Sequence, residues 1–142
     1  MHAPCELTAQ SMGGYVALRA ALAAPQMVRH LVLAVTSGGV PVRDLGGADW
    51  EAEYYAAYPH AARWISDPTE DLSERLGALN LPVLLIWGSH DPISPLAVGE
   101  RLLALLPRAE LHVIDGAGHD LAQTHPREVA SLIARHLETT DY

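Results

Sequence analysis

The sequence has no lysine: its nine basic side chains are all arginines, scattered through 142 residues that also carry seventeen acidic ones. The formal charge is -8, and nothing in the sequence gathers the basic residues into a patch able to neutralise phosphates and release counterions. Nucleic acid is therefore not expected as a partner. Cysteine is nearly absent. Cys5 stands alone, which rules out an intrachain disulfide and any zinc site built on paired cysteines. Long apolar runs are missing too: no eighteen consecutive residues are apolar, so no membrane span is expected. The opening Met1-His2-Ala3-Pro4-Cys5-Glu6 has neither the basic region nor the apolar stretch of a secretory leader. The expected location is the cytoplasm. Only 18% of residues are charged against 49% hydrophobic, a balance that fits a folded domain with a core rather than a disordered chain. The length leaves room for one domain, 1–142.

What is present alternates between strand and helix patterns. Leu7-Thr8-Ala9 is a short apolar run, and Tyr15 to Ala24 is an alanine- and leucine-rich helix stopped by Pro25. Val28 to Val35 and Val83 to Trp87 are apolar on both faces, as strands covered by helices on either side must be. Glu110 to Ile114 is a further strand, and Ala97 to Leu106 and Pro126 to Leu137 are helices. Residues 41–80 differ: acidic residues and most aromatics gather there, punctuated by Pro59 and Pro68, and two or three short helices are expected. The pattern predicts an α/β fold, a mostly parallel sheet with helices on both faces and ligands bound beyond the carboxyl ends of its strands.

Three motifs fall at such ends. Ala9-Gln10-Ser11-Met12-Gly13 lies between a strand and a helix, in the small-x-Ser-x-small pattern of a nucleophile elbow. The small residues are expected to relieve a turn so tight that larger side chains would collide. The helix that follows aims its amino end at the serine, so the Met12 amide can donate to a developing oxyanion. Gly88-Ser89-His90-Asp91-Pro92 ends the strand Val83 to Trp87, and Asp115-Gly116-Ala117-Gly118-His119 follows the last strand. Each alone is ordinary: Ser-x-Gly and Asp-Pro are common in turns.

Together, and in the order Ser, Asp, His, they resemble the α/β-hydrolase family, and the resemblance runs from Leu7 to Leu137. It implies a catalytic triad of Ser11, Asp91 and His119 performing acyl transfer to water through a covalent intermediate, with no metal and no organic cofactor. Asp44, Asp115 and Asp120 are weaker candidates for the acid by position, and His90, His112 and His125 are incidental. A serine nucleophile disfavours dehalogenase and epoxide hydrolase chemistry. Esterases, lactonases, carbon–carbon bond hydrolases, aminopeptidases and perhydrolases stay open. Residues 41–80 match the family's cap, here small, and its aromatics suggest an apolar acyl or aryl substrate lined by Trp50, Tyr54, Tyr58 and Trp64.

The family normally places several strands ahead of the elbow, whereas this sequence reaches Ser11 almost at once. The resemblance therefore implies a partial fold, without the loop that supplies the second oxyanion donor. Losing one such donor costs on the order of a hundredfold to a thousandfold in rate. It also leaves the elbow strand as an open edge, so a homo-oligomer covering that edge is expected. The alternative to a hydrolase is a truncated, catalytically impaired relative acting as a ligand-binding or partner-completing module.

Overall fold

The computed structural model describes residues 3–139 and centres on four parallel strands: β1 (Cys5–Gln10), β2 (Val28–Ala34), β3 (Val83–Gly88) and β4 (Ala109–Ile114). They are hydrogen-bonded in the order β1-β2-β3-β4, with Ala9 beside Leu33, Leu33 beside Leu85 and Leu85 beside Leu111. Every residue of β3 is buried, as are Leu31, Val32 and Leu33 of β2. Side chains of successive strand residues point to opposite faces, so burial of consecutive residues means that both faces of the sheet are covered. That is the physical origin of the two uninterrupted apolar runs. β1 and β4 lie at the edges and are correspondingly more exposed.

Helix α1 (Met12–Ala23) connects β1 to β2, and α3 (Leu96–Leu105) connects β3 to β4. A single turn, α4 (Leu121–Thr124), precedes α5 (Pro126–Leu137), which packs on β2 and β3 through a face that includes the buried Val129 and Leu132. Among the described residues no helix is long and apolar enough to cross a membrane.

The stretch 41–80 contains one helix, α2 (Glu51–Ala57), and two 3-10 turns, Arg63–Ser66 and Leu76–Ala78. Its two ends meet: Leu72 N–H donates to the Gly39 carbonyl at 2.7 Å. Beyond that stitch Leu72, Leu76 and Leu79 enter the main core fully buried, whereas no residue of α2 is buried. The excursion thus leaves the body after Val40 and returns by Leu72.

Three local differences from the sequence reading have physical causes. β1 begins at Cys5 rather than Leu7, because Glu6, an unpromising strand residue, is held by His30 of the adjacent strand at 2.7 Å. β2 ends one residue early because Val35 turns to φ 42°, a costly conformation for a β-branched residue. α1 starts at Met12 and takes in both glycines. Here the steric expectation is corrected: a Cβ on Gly13 would lie 3.6 Å from Ala9 Cβ, an ordinary contact, whereas one on Gly14 would lie 2.4 Å from Thr36 Oγ1. The close approach that demands glycine is between α1 and the end of β2, at Gly14.

Candidate active site

The site is assembled at the carboxyl ends of all four strands. Ser11, between β1 and α1, has φ 53° and ψ -123°, a strained conformation for a residue with a side chain. Its backbone is held from three directions. Ser11 N–H donates to the Ala34 carbonyl at 2.9 Å, and the Ser11 carbonyl accepts from the Gly14 amide at 2.9 Å and the Ser37 amide at 3.0 Å. Those bonds supply the over-determination that a strained residue needs. The Met12 amide, the first of α1, has no intrahelical acceptor and lies at the partial positive end of the helix dipole.

Ser11 Oγ lies 2.8 Å from His119 Nε2, and His119 Nδ1 lies 2.8 Å from Asp91 Oδ2. The carboxylate can only accept, so Nδ1 carries the proton and Nε2 accepts from the serine hydroxyl. The Asp91 side chain is wholly buried; its other oxygen, Oδ1, accepts from the backbone amides of Ile93 at 2.9 Å and Ser94 at 3.0 Å. Three hydrogen bonds thus compensate its desolvation. The acid loop is anchored in turn. The Trp87 indole donates to the Ser94 carbonyl at 3.0 Å, and Ser94 Oγ donates to the Thr36 carbonyl at 2.6 Å. The histidine loop is fixed where the Ala117 carbonyl accepts from His90 N–H at 2.9 Å, and where Gln10 Nε2 donates to the His119 carbonyl at 3.2 Å. Gly88 permits this crossing, since a Cβ there would come within 2.1 Å of the Ala117 oxygen.

Ser11 and His119 open on a cavity of about 680 Å³ whose walls include Met12, Trp50, Tyr54, Tyr58, Ile65 and Ile93. Trp50, Tyr54 and Tyr58 form a run of ring contacts, with centroids 5.5 and 5.0 Å apart. Trp64 does not join them. It is 59% exposed and lies outside the cavity wall, because in the short 3-10 turn it is Ile65 that faces inward. A second, more polar cavity of about 630 Å³ shares Met12, Ser37, Trp50, Ile65 and Ile93 with the first and extends towards Arg43, Asp44, Asp67 and Asp71. Asp44 therefore lines this neighbouring space, with no hydrogen bond or ion pair to His119. Asp115 accepts from Ser89 Oγ at 3.2 Å, and His90 and His125 are bonded to Ser89 and Thr124.

One residue beside Ser11 escaped the sequence reading. Ser37 Oγ lies 3.3 Å from Ser11 Oγ, and Ser37 lines both cavities. Its only sequence signal is its place at the end of a strand, in Ser37-Gly38-Gly39. Among the described residues, no group of histidine, cysteine and carboxylate side chains is arranged to hold a metal ion.

Comparison with known proteins agrees with the fold in several ways. A family model described as the alpha/beta hydrolase fold matches residues 42–126. The chain is similar to a 2-hydroxy-6-oxononadienedioate/2-hydroxy-6-oxononatrienedioate hydrolase of Cupriavidus pinatubonensis, with 34% identity over 67 residues, 47% of this chain and 23% of that protein. It is similar to YugF, an uncharacterized hydrolase of Bacillus subtilis, with 38% identity over 73 residues, 51% of this chain and 27% of that protein. Among solved structures it resembles an alpha/beta hydrolase enzyme from the metagenome of lagoon sediments at Mar Chica, Morocco. That match has a TM-score of 0.74 and 27% identity, and covers 93% of this chain and 60% of the other. It also shares the fold of a 2-hydroxy-6-oxo-6-phenylhexa-2,4-dienoate hydrolase from Rhodococcus, with a TM-score of 0.77 and 20% identity over 96% of this chain and 64% of the other. The matched segments span about a quarter of each of these two curated relatives, and the chain spans less than two thirds of each of these solved structures.

Proposed function

Because this chain belongs to the α/β hydrolase fold family, we propose that it is a serine hydrolase acting on a small, apolar carboxylic ester or a related carbonyl compound, with Ser11, His119 and Asp91 as its catalytic triad. The observation that carries this reading is the unbroken hydrogen-bonded run Ser11 Oγ, His119 Nε2, His119 Nδ1, Asp91 Oδ2, with both links at 2.8 Å. As Ser11 Oγ attacks the substrate carbonyl carbon, His119 Nε2 takes its proton, and Asp91 stabilises the imidazolium so formed. The carbonyl oxygen becomes an oxyanion, to which the Met12 amide donates. Collapse expels the leaving group, which takes the proton from His119, and Ser11 is left acylated. Water then attacks the acyl carbon, giving a proton to His119, which returns it to Ser11 as the acid departs. No step calls for a metal or an organic cofactor.

The aromatic wall of Trp50, Tyr54 and Tyr58, with Ile65 and Ile93, supports an apolar acyl or aryl group as the bound part of the substrate. The stretch 41–80 serves in this reading as the small cap over Ser11. The name of the similar Cupriavidus hydrolase adds hydroxy-oxo-dienedioic acids to the candidate substrates. A second reading rests on the place of β1 at the edge of the sheet among the described residues: the chain pairs there with another copy, or serves as a binding module that completes another polypeptide. A dimer in light scattering at micromolar concentration supports pairing; a cooperative, monomeric melt counts against it.

The test of catalysis is mass spectrometry after incubation with a fluorophosphonate. One adduct on Ser11, absent from Ser11→Ala, is the expected result. A folded chain that takes no adduct overturns the hydrolase reading and leaves the binding module.

A further inference from the structure

We propose that Ser37 is a positioning residue for Ser11, its hydroxyl donating to Ser11 Oγ so that the nucleophile is held facing His119. This inference rests on Ser11 being the nucleophile.

The direction of the hydrogen bond follows from proton counting. Ser11 has one hydroxyl proton. His119 Nδ1 faces a carboxylate and so carries its own proton, which leaves Nε2 bare to accept the one on Ser11 at 2.8 Å. In the 3.3 Å pair between the two serine oxygens the donor is therefore Ser37. The Ser37 hydroxyl has no other hydrogen-bond partner among the described residues. When Ser11 passes its proton to His119, its oxygen gains negative charge, and a bond from Ser37 that was neutral becomes charge-assisted and stronger. No proton leaves Ser37 in this step.

The backbone is built to bring Ser37 to that place. Val35, wholly buried, accepts φ 42° at the end of β2, and its amide is held by the Ile86 carbonyl at 3.0 Å. Thr36 follows, its carbonyl bound by Ser94 Oγ at 2.6 Å, and then the Ser37 amide donates to the Ser11 carbonyl at 3.0 Å. An untwisted continuation of β2 would need none of this strain, which persists only where surrounding contacts impose it. The same Ser94 whose amide holds Asp91 thus also holds the peptide before Ser37. The acid loop and the turn beside the nucleophile are fastened to each other.

The experiment compares wild type, Ser37→Ala and Ser37→Thr in fluorophosphonate labelling of Ser11, together with crystal structures of wild type and Ser37→Ala. For Ser37→Ala the labelling rate at saturating reagent is expected to fall about tenfold, the size of one lost hydrogen bond to a charged oxygen. Reagent affinity and melting temperature should stay close to wild type, and Ser37→Thr, which keeps the hydroxyl, should recover most of the rate. In the crystal, Ser11 Oγ should leave its single orientation towards His119. Equal saturating rates for wild type and Ser37→Ala overturn the proposal, and so does an unchanged Ser11 rotamer. A wild-type chain that takes no label at all defeats the hydrolase reading instead, and the crystal comparison still decides whether Ser37 orients Ser11.

Discussion

A histidine meets a carboxylate at both ends of the sheet. At the carboxyl ends of the strands His119 Nδ1 lies 2.8 Å from Asp91, and at the amino ends His30 Nδ1 lies 2.7 Å from Glu6. On one nitrogen the two pairs are nearly alike. The other nitrogen separates them: His119 Nε2 faces a serine hydroxyl at the mouth of a cavity, whereas His30 Nε2 is bonded to the Thr139 carbonyl at 2.8 Å. Both nitrogens of His30 thus face oxygen acceptors, and the residue is 3% exposed. It ties β1 and the segment just after α5 to β2, and has no nitrogen left to take a proton from a nucleophile. A buried histidine–carboxylate pair is a structural fastening by default. It becomes chemistry only where the distal nitrogen is left to accept and a substrate can reach it.

The sharpest way to break this comparison is to exchange each carboxylate for its amide. In Asp91→Asn the side-chain oxygen keeps the bonds from the Ile93 and Ser94 amides, which turns the amide nitrogen towards His119. A donor in that place forces the imidazole proton from Nδ1 to Nε2, and Nε2 can no longer accept from Ser11. Labelling of Ser11 should fall by about 10⁴-fold, with the fold intact. Glu6→Gln at the other end should leave the labelling rate unchanged. Rate constants for the two variants, measured against wild type, decide the matter, and a comparable loss in Glu6→Gln would erase the distinction between the two ends.

The reverse experiment removes the fastening. His30→Ala loses hydrogen bonds to Glu6 and Thr139 and leaves a hole in a buried place, so a stability loss of about 2–4 kcal/mol is expected from urea unfolding. Ser11 labelling in the folded protein should not change. Stability and reactivity would then be separated along the length of one sheet.

How far the sequence discloses these two ends follows from what each depends on. β2 and β3 are readable because burial on both faces writes itself as continuous apolar residues, Leu31 to Val35 and Val83 to Trp87. Ser11, Asp91 and His119 are readable because each sits in a local pattern of small and turn residues at a strand end. Ser37, Gly14 and Ser94 are not readable, since their importance lies in contacts between segments: Ser37 against Ser11, Gly14 against Thr36, Ser94 against both Asp91 and Thr36. Trp64 misleads for another reason. Aromatic content marks the stretch over the cavity, but the phase of a four-residue turn decides whether Trp64 or Ile65 faces inward, and nothing periodic in so short a piece sets that phase. The pair Glu6 and His30 is also invisible, because charged and polar residues in predicted strands suggest weakness until their partner is known.

The smallest expected effect is one of pH, and it belongs to the fastened end. His136 on α5 is 4% exposed and stands edge-on to His30 with ring centroids 5.3 Å apart. Burial lowers its pKa from the ordinary histidine value, the charge of His30 lowers it further, and Glu110, 3.9 Å away on β4, opposes both. With the folded pKa below the unfolded one, near 6.5, the unfolded chain takes the proton first as pH falls. Stability contributed by neutral His136 is therefore fully present above about pH 6.5, declines as pH falls below that value, and stops declining once the folded-state pKa is passed. Urea midpoints at pH 7.5 and pH 5.5 should show a drop in wild type and a smaller drop in His136→Phe, which fills a similar space without titrating. Titratable groups away from His136 contribute equally to both proteins, so the difference between the two drops reports His136 together with its coupling to His30 and Glu110. Equal drops would mean that the proton on His136 is no more costly in the folded chain than in the unfolded one, and that the buried amino end of the sheet is wetter than its packing implies.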